Sequence, residues 1–312
     1  MRIGIDAREL SGRTTGVGRY LAGLLREWHR TGETARHEFV LYGHDRIGLA
    51  DEWPGITVRH VPGAGGTVWE QIQMPPVARA DRLDVFFAPA YTAPIRPPAP
   101  FVLAVHDISY VAVPEWFTWR EGARRRAITR AAVRRAHSVI TISQFSRTEL
   151  IDRLGLSPAK VHVIPPGIDA PPTVRDDDGA APRVLFVGSI FNRRHVPDLI
   201  RGFGRMARRH PAAELDIVGD NRSWPRQELA GLMAAEGLGD RLRWHAYVDD
   251  AARGRLYAGA RAFAFLSEYE GLGLPPLEAL AAGIPPLLAE TAVARETCGD
   301  AGTYCAPDDW AG

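Results

Sequence analysis

Short apolar runs recur along the chain, separated by stretches with helical spacing. RIGID (Arg2–Asp6), EFVLYG (Glu38–Gly43), DVFFAP (84–89), FVLAVHD (101–107), SVITIS (138–143) and KVHVIPPG (160–167) are apolar almost throughout. Runs of this length, bounded by Gly, Pro or Asp, predict buried strands. Residues 20–30, 120–135 and 146–154 carry helical patterns, and the last opens on Ser146-x-x-Glu149, which predicts a capping box. Strand alternating with helix predicts a parallel sheet with helices on both faces.

PPGIDAPPTVRDDDGAAP (165–182) breaks this rhythm with Pro, Gly and Asp and has no apolar period, so it reads as a linker. After it the rhythm restarts. Strands are expected at 183–189, 214–220, 241–247, 262–267 and 285–289, and helices at 196–209 and 226–237. The pattern predicts an α/β protein with a first Rossmann-like domain over 1–168, a linker over 169–182 and a second domain over 183–312. Doubly wound sheets take ligands at the carboxyl ends of their strands, so one ligand in a central cleft between two such domains is expected. The sequence closes on TYCAPDDWAG with no further helical pattern, so the second domain is expected to be incomplete.

Composition narrows the classes. Of 312 residues, 46% are hydrophobic and 24% charged, as in ordinary globular chains, and the formal net charge of +1 gives no field favouring nucleic acid. No apolar run approaches the roughly 20 residues of a membrane helix. The N-terminus lacks the apolar core of a signal peptide, so a cytoplasmic protein is expected. Cys298 and Cys305 form no CxxC and read as reduced small hydrophobes. Lys160 is the only lysine, so phosphate contacts fall to Arg, His or backbone amides.

The richest stretch for chemistry is SEYEGLGLPPLEALAAG, from Ser267 to Gly283. A helix expected over 276–282 follows the glycine-rich turn EGLGLP. Glycines admit close backbone approach, and a helix start adds partial positive charge, which suits a phosphate or a sugar hydroxyl. Glu270 falls at the strand end and Glu278 in the expected first helical turn, where a carboxylate also favours the helix dipole. Arg193 and Arg194 precede the 196–209 helix, at the end where cations oppose the dipole; an anion, most simply a diphosphate, would explain them. His106 and Asp107 close the strand FVLAV at the carboxyl edge. Thr14 to Tyr20, TTGVGRY, resembles a phosphate-cradling turn but matches neither GxGxxG nor GxxxxGK[ST], which disfavours nicotinamide and P-loop enzymes. In the basic helix from Arg120 to Arg135, Arg126, Arg130 and Arg134 are spaced to share a face, which reads as a solvated side, or as contact with an anionic membrane or a phosphorylated acceptor. No metal-ligand pattern is present.

Taken together, GIDAREL, TGVGRY, AVHDISYVAVPEWF, VITISQFSRTEL, VHVIPPGID, VLFVGSIFNRRHVPDLI, SEYEGLGLPPLEALAAGIP and ARETCGDAG resemble glycosyltransferase family 4, whose members are retaining enzymes of GT-B fold. The blocks occur in family order across essentially the whole chain, and the two glutamates flanking seven residues are the most specific. The resemblance implies roles. Glu278 would hold the ribose hydroxyls, Glu270 would face the donor sugar, and the amides of Gly271, Leu272, Gly273 and Leu274 would contact the sugar or β-phosphate. Arg194 stands where the family usually has Lys and would neutralise the diphosphate. Ser189 stands where an Arg is frequent, so Arg193 would compensate. His106 would lie beside the donor sugar, and Gly16 and Gly18 would approach the diphosphate. The resemblance implies hexose transfer from a nucleotide diphosphate sugar to a glycan or lipid-linked acceptor, with no cofactor and no metal. The TGVGRY and HD blocks favour GDP-mannose over a UDP-sugar, and a lipid-linked acceptor would place the enzyme at the inner face of the membrane. Family members usually run several tens of residues further. The rival readings are an inactive nucleotide-binding fragment or another GT-B enzyme, such as a sugar-nucleotide epimerase or a phosphorylase.

Overall fold

The computed structural model describes residues 1–12, 16–47, 53–171 and 181–306. The chain forms two compact units: Met1–Ala112 with Trp119–Gly167, and Val113–Thr118 with Ile168–Gly312. Of the predicted linker, residues 172–180 lie outside the described residues.

The first unit is built on seven parallel strands: β1 (Arg2–Asp6), β2 (Glu38–Gly43), β3 (Ile56–His60), β4 (Val85–Ala88), β5 (Phe101–Ala104), β6 (Ser138–Thr141) and β7 (Val161–Val163). Their order is β3-β2-β1-β4-β5-β6-β7, so the winding direction changes between β1 and β4. Around them lie α1 (Gly16–Arg30), α2 (Glu33–Arg36), α3 (Gly66–Val68), α4 (Met74–Ala80), α5 (Ser109–Ala112), α6 (Trp119–Arg135) and α7 (Gln144–Leu154). Parallel strands covered on both faces read as continuous apolar runs, and β2 is buried at every position but its first. Its Phe39 and Leu41 pack with Ile5 of β1 and with Leu21 and Leu25 of α1.

The second unit repeats the plan with β8 (Arg183–Val187), β9 (Glu214–Val218), β10 (Leu242–His245), β11 (Ala262–Phe265), β12 (Pro286–Ala289) and β13 (Thr303–Cys305). The order β10-β9-β8-β11-β12-β13 puts the change of direction between β8 and β11. Its helices are α8 (Val196–Arg209), α9 (Leu229–Ala235), α10 (Asp250–Ala258), α11 (Leu274–Ala281) and α12 (Ala292–Cys298). On α8 the buried Val196, Leu199, Ile200, Phe203 and Ala207 form one stripe at helical spacing, the feature that packs it on the sheet.

Several elements depart from the sequence expectation. Strand β3 was not foreseen, because four of its five positions are exposed and its run is broken by Arg59 and His60. Strand β13 was likewise missed within TYCAP. Helix α1 starts at Gly16 rather than Tyr20, so Gly16 and Gly18 belong to its first turn and not to a loop. Burial of Tyr20, Leu21 and Leu25 carries the glycines into the helix. The capping box is also corrected. Helix α7 begins at Gln144, and its cap is Ser143, whose Oγ accepts from the Ser146 amide at 3.0 Å. Helix α11 begins at Leu274, two residues before the expected start, so Glu278 falls outside its first turn and gains little from the helix dipole.

Candidate functional site

In the second unit the end of β8 and the turn after β11 meet through one ion pair. Arg194 closes a single 3-10 turn (Asn192–Arg194), and its Nε donates to Glu270 Oε1 at 2.7 Å. Its Nη1 donates to the Ser189 carbonyl at 2.8 Å, and its guanidinium lies 4.9 Å from the Phe265 ring centroid. Gly188 makes room for it: a Cβ there would meet Arg194 Nη1 at 2.5 Å, and a φ of +148° disfavours any other residue.

Glu270 also accepts from Ser267 Oγ at 2.8 Å. Burial pushes the Glu270 carboxyl up, but the charges of Arg194 and Arg193 and the hydrogen bonds from Arg194 and Ser267 outweigh it, leaving the group below the usual carboxylate range. Glu270 is therefore ionised at neutral pH. The two arginines before α8 are thus answered partly from inside the protein. Arg194 still has N–H groups beyond the two in these bonds, since a guanidinium carries five.

Arg193 is held differently. Its Nε donates to the Tyr269 carbonyl at 3.1 Å, and its guanidinium lies 4.5 Å from Phe191 and 5.8 Å from Trp116. His195, which sequence reasoning missed, follows in the left-handed region at φ +47°. Such a conformation is uncommon outside glycine, and contacts on both ring nitrogens hold it. Nδ1 lies 3.1 Å from Asp198 Oδ2 and Nε2 2.5 Å from Glu268 Oε1. The Glu268 amide in turn donates to the Arg193 carbonyl at 2.9 Å, so the two turns are stitched together.

The glycine-rich turn runs from this cluster into α11. Gly271 and Leu272 are buried, and Gly273 caps the helix at φ +92°. Thr297 of α12 fixes the turn from behind, donating to the Leu272 carbonyl at 2.6 Å. Pro275 and Pro276 occupy helix positions whose amides have no partner inside the helix, so the proline ring costs nothing there. Glu278 lies further along α11, where its Oε2 accepts from the Tyr257 hydroxyl at 2.9 Å. The structure therefore separates the two glutamates by partner: Glu270 takes Arg194, and Glu278 takes Tyr257 of α10. Tyr257, buried against Phe263, carried no sequence signal for this role. Ser189 is tied to the neighbouring strand end: its side chain hydrogen-bonds Asp220. Burial there raises the Asp220 carboxyl, but Ser189 and Arg222 hold it below its usual range.

In the first unit, His106 lies just beyond β5. Its Nε2 lies 2.9 Å from the Pro89 carbonyl, so Nε2 carries the proton. Burial lowers the His106 pKa, which keeps the ring neutral near pH 7 with Nδ1 as acceptor. Tyr20 of α1 packs its ring edge-on against His106 at 4.7 Å. The His106 carbonyl accepts from Ser146 Oγ at 3.0 Å, which gives Ser146 a role other than capping. Asp107 Oδ1 accepts from the Ser109 amide at 2.9 Å and so starts α5. At the end of β1, a buried cluster also escaped the sequence reading. Arg8 Nη2 reaches Glu70 Oε1 at 2.5 Å and Asp6 Oδ2 at 3.0 Å, and burial pushes Asp6 up to about 6 against the pull of Arg8. Among the described residues, no three His, Cys, Asp or Glu side chains gather as metal ligands. None of the described helices is long and apolar enough to cross a membrane.

Two family models match the chain: "Glycosyltransferase Family 4" over residues 14–171 and "Glycosyl transferases group 1" over 174–311. O-antigen chain mannosyltransferase B of Escherichia coli is 25% identical over 219 residues, covering 67% of this chain and 58% of that protein. Glycogen synthase of Mycobacterium tuberculosis is 30% identical over 204 residues, covering 62% and 48%. The chain thus spans about half the length of these curated relatives. Among solved structures, Anabaena HepE in complex with UDP and glucose superposes with a TM-score of 0.74 at 20% identity, covering 100% of this chain and 87% of that one. WaaG, a glycosyltransferase involved in lipopolysaccharide biosynthesis, gives 0.73 at 18%, covering 99% and 86%. At such identities the likeness is one of fold.

Proposed function

This chain belongs to glycosyltransferase family 4 and has the GT-B fold, and from that premise we propose that it transfers a hexose from a nucleotide diphosphate sugar to an acceptor hydroxyl with retention of anomeric configuration. The observation that carries this reading is the Arg194–Glu270 pair, with Arg193 beside it, at the carboxyl end of β8 where the winding of the sheet changes direction. Glu270 fixes the guanidinium while its remaining N–H groups stay available to the departing diphosphate. Arg193, Arg194 and the amides around Gly273 supply fixed positive potential where charge develops, which needs no reorganisation during the reaction. Glu278 clamps the ribose hydroxyls, with Tyr257 orienting its carboxylate. In the first unit, neutral His106 offers Nδ1 as a hydrogen-bond acceptor to a hydroxyl.

In the transfer step the bond from the anomeric carbon to the diphosphate oxygen breaks, and its electron pair leaves with the diphosphate. The acceptor oxygen forms the new bond on the same face and passes its proton to that diphosphate oxygen. This order needs no protein base, consistent with Glu270 being committed to Arg194. Mannose and GDP are the favoured sugar and nucleotide. The mannosyltransferase names of E. coli and Mycolicibacterium hassiacum relatives support that choice, and the UDP bound to HepE keeps UDP in the test. A glycan or lipid-linked hydroxyl is the acceptor class.

Calorimetric titration with GDP and UDP tests the site. Arg194→Ala and Glu278→Ala are each expected to weaken the preferred nucleotide at least about tenfold, the scale of one lost charge-assisted contact. Unchanged affinity in both variants would remove the site assignment. Incubation with GDP-mannose, with and without a mannoside acceptor, followed by NMR of the anomeric proton tests the reaction. An isomerised nucleotide sugar formed without acceptor would point to an epimerase instead.

A further inference from the structure

The first unit carries a surface whose chemistry the sugar-transfer reading leaves unused. Helix α6 buries Gly122, Thr129, Ala132 and Val133. At 3.6 residues per turn the opposite side holds Arg120, Arg124, Arg130, Arg134 and Arg135, all exposed, with alanines between them. Glu121, the one acid of the helix, is paired with Arg125 away from this face. None of the five exposed arginines has an ion-pair partner among the described residues. Arg126, expected to share the face, instead donates to the Tyr110 carbonyl at 3.2 Å. Lys160 extends the basic surface, its Nζ donating to the Arg134 carbonyl at 3.0 Å.

One end of this face adjoins exposed apolar side chains. Arg124 Nη1 donates to Thr67 Oγ1 at 2.6 Å, beside Val68, which is 61% exposed. Ile72, one turn on, is 66% exposed. Ile95, 48% exposed, joins them through its amide, which donates to Gln71 Oε1 at 2.8 Å. The ridge is held rigidly from beneath. Residues Trp69–Gln73 form a π-helical turn in which Trp69 is fully buried, its Nε1 donating to the Val61 carbonyl at 2.8 Å, and Glu70 is locked to Arg8 and Thr92. Anchoring these two residues inward leaves Val68 and Ile72 facing out. Trp119, at the start of α6, is 75% exposed.

We propose that this face docks the first unit on a bilayer containing anionic phospholipid. Arginines without acids match a negative headgroup layer. The aliphatic side chains beside Arg124, and the exposed Trp119 on the same helix, match the boundary below it, where indole rings concentrate. The charge alone would also suit a nucleic acid, but the aliphatic ridge would have no partner there. Glu121, the one acid of α6, is already answered by Arg125, so the face presents unbroken positive charge of the kind a continuous anionic layer matches. The docking is independent of which sugar the enzyme moves.

Vesicle co-sedimentation of the full chain tests it, with phosphatidylcholine alone and with added phosphatidylglycerol. Binding is expected only with phosphatidylglycerol and is expected to fall as salt shortens the screening length. Each arginine near an anionic surface contributes about fivefold, so reversing Arg120, Arg124, Arg130 and Arg134 to Glu is expected to weaken binding by at least about a hundredfold. Val68→Ser with Ile72→Ser is expected to weaken it about tenfold with the charge unchanged. Arg208→Glu with Arg209→Glu, on the last turn of α8, is the control and is expected to bind as wild type. Circular dichroism melts establish that each variant folds. Equal binding to neutral vesicles, no binding, or loss in the control pair alone would overturn the proposal. So would a charge-dependent complex with duplex DNA or with acidic protein in place of vesicle binding.

Discussion

Glu270 and Arg194 are each largely buried, with side chains 14% and 11% exposed, so each depends on the other for compensation. Removing one partner of such a pair costs about 3 kcal/mol, because the remaining charge is left without an answer. Glu270→Gln preserves the shape and removes only the charge. The sign of its pH dependence follows from the folded pKa lying below the ordinary value: the stabilisation is present above the unfolded pKa and is lost as pH falls through the folded one. The melting temperatures of wild type and Glu270→Gln are therefore expected to differ at pH 7 and to converge in the acid range. A gap that stays constant from neutral to acid pH would show that the carboxylate charge is not what Arg194 needs. Glu278 obeys another logic, since a neutral hydroxyl holds it. Tyr257→Phe is expected to cost about 1 kcal/mol in thermal stability, the net value of one hydrogen bond. It is also expected to weaken nucleotide binding less than Glu278→Ala does, by calorimetry. The sequence made the type of these residues legible, because a strand end, a glycine turn and a helix start are written locally. Their partners were not legible: the Arg194–Glu270 contact joins positions 76 apart, and no local pattern encodes it.

At the level of elements, the apolar runs located the buried strands well and located ends poorly. Strand β3 escaped because an edge strand buries little and so shows no apolar run, and α1 because two glycines masked a helical turn that tertiary packing enforces. The start of α7 turns on a choice between two serines three residues apart. Ser146-x-x-Glu149 satisfies the capping-box pattern, yet the cap is Ser143, and Ser146 spends its hydroxyl on the His106 carbonyl. Glu149 pairs with Arg153 at 2.6 Å, one turn further along the helix. Ser143→Ala is accordingly expected to cost about 1 kcal/mol in denaturant melts, and Glu149→Ala no more than about 0.5 kcal/mol. The reverse order would restore the capping box. Ser146→Ala offers a separate readout: with its stability loss small, a change in His106 titration by NMR would report that the α7 turn positions the imidazole.

Over the whole molecule, the two sheets place the candidate residues by one rule applied twice. In the first unit the winding reverses between β1 and β4, and Asp6 ends β1, while His106 lies just past β5 on the same carboxyl edge. In the second it reverses between β8 and β11, and Ser189, Arg194 and Glu270 lie just past those strands. The alternation of strands and helices made this much legible before any contact was known, since a right-handed crossover leaves few other arrangements. Each unit also has its own apolar core. Ligand linkage is therefore expected to act unit by unit. If the second unit alone binds the nucleotide, a concentration a hundredfold above Kd adds about 2.7 kcal/mol to its stability. Hydrogen exchange reads this directly: with GDP or UDP present, amides around residues 188–195 and 267–278 are expected to gain protection, together with the β8 and β11 strands behind them. Amides of β1, β2 and β4 are expected to exchange as before, because no nucleotide contact is assigned to them. Protection confined to the first unit would move the nucleotide to the Asp6 and His106 edge and leave Arg194 and Glu270 as a structural pair.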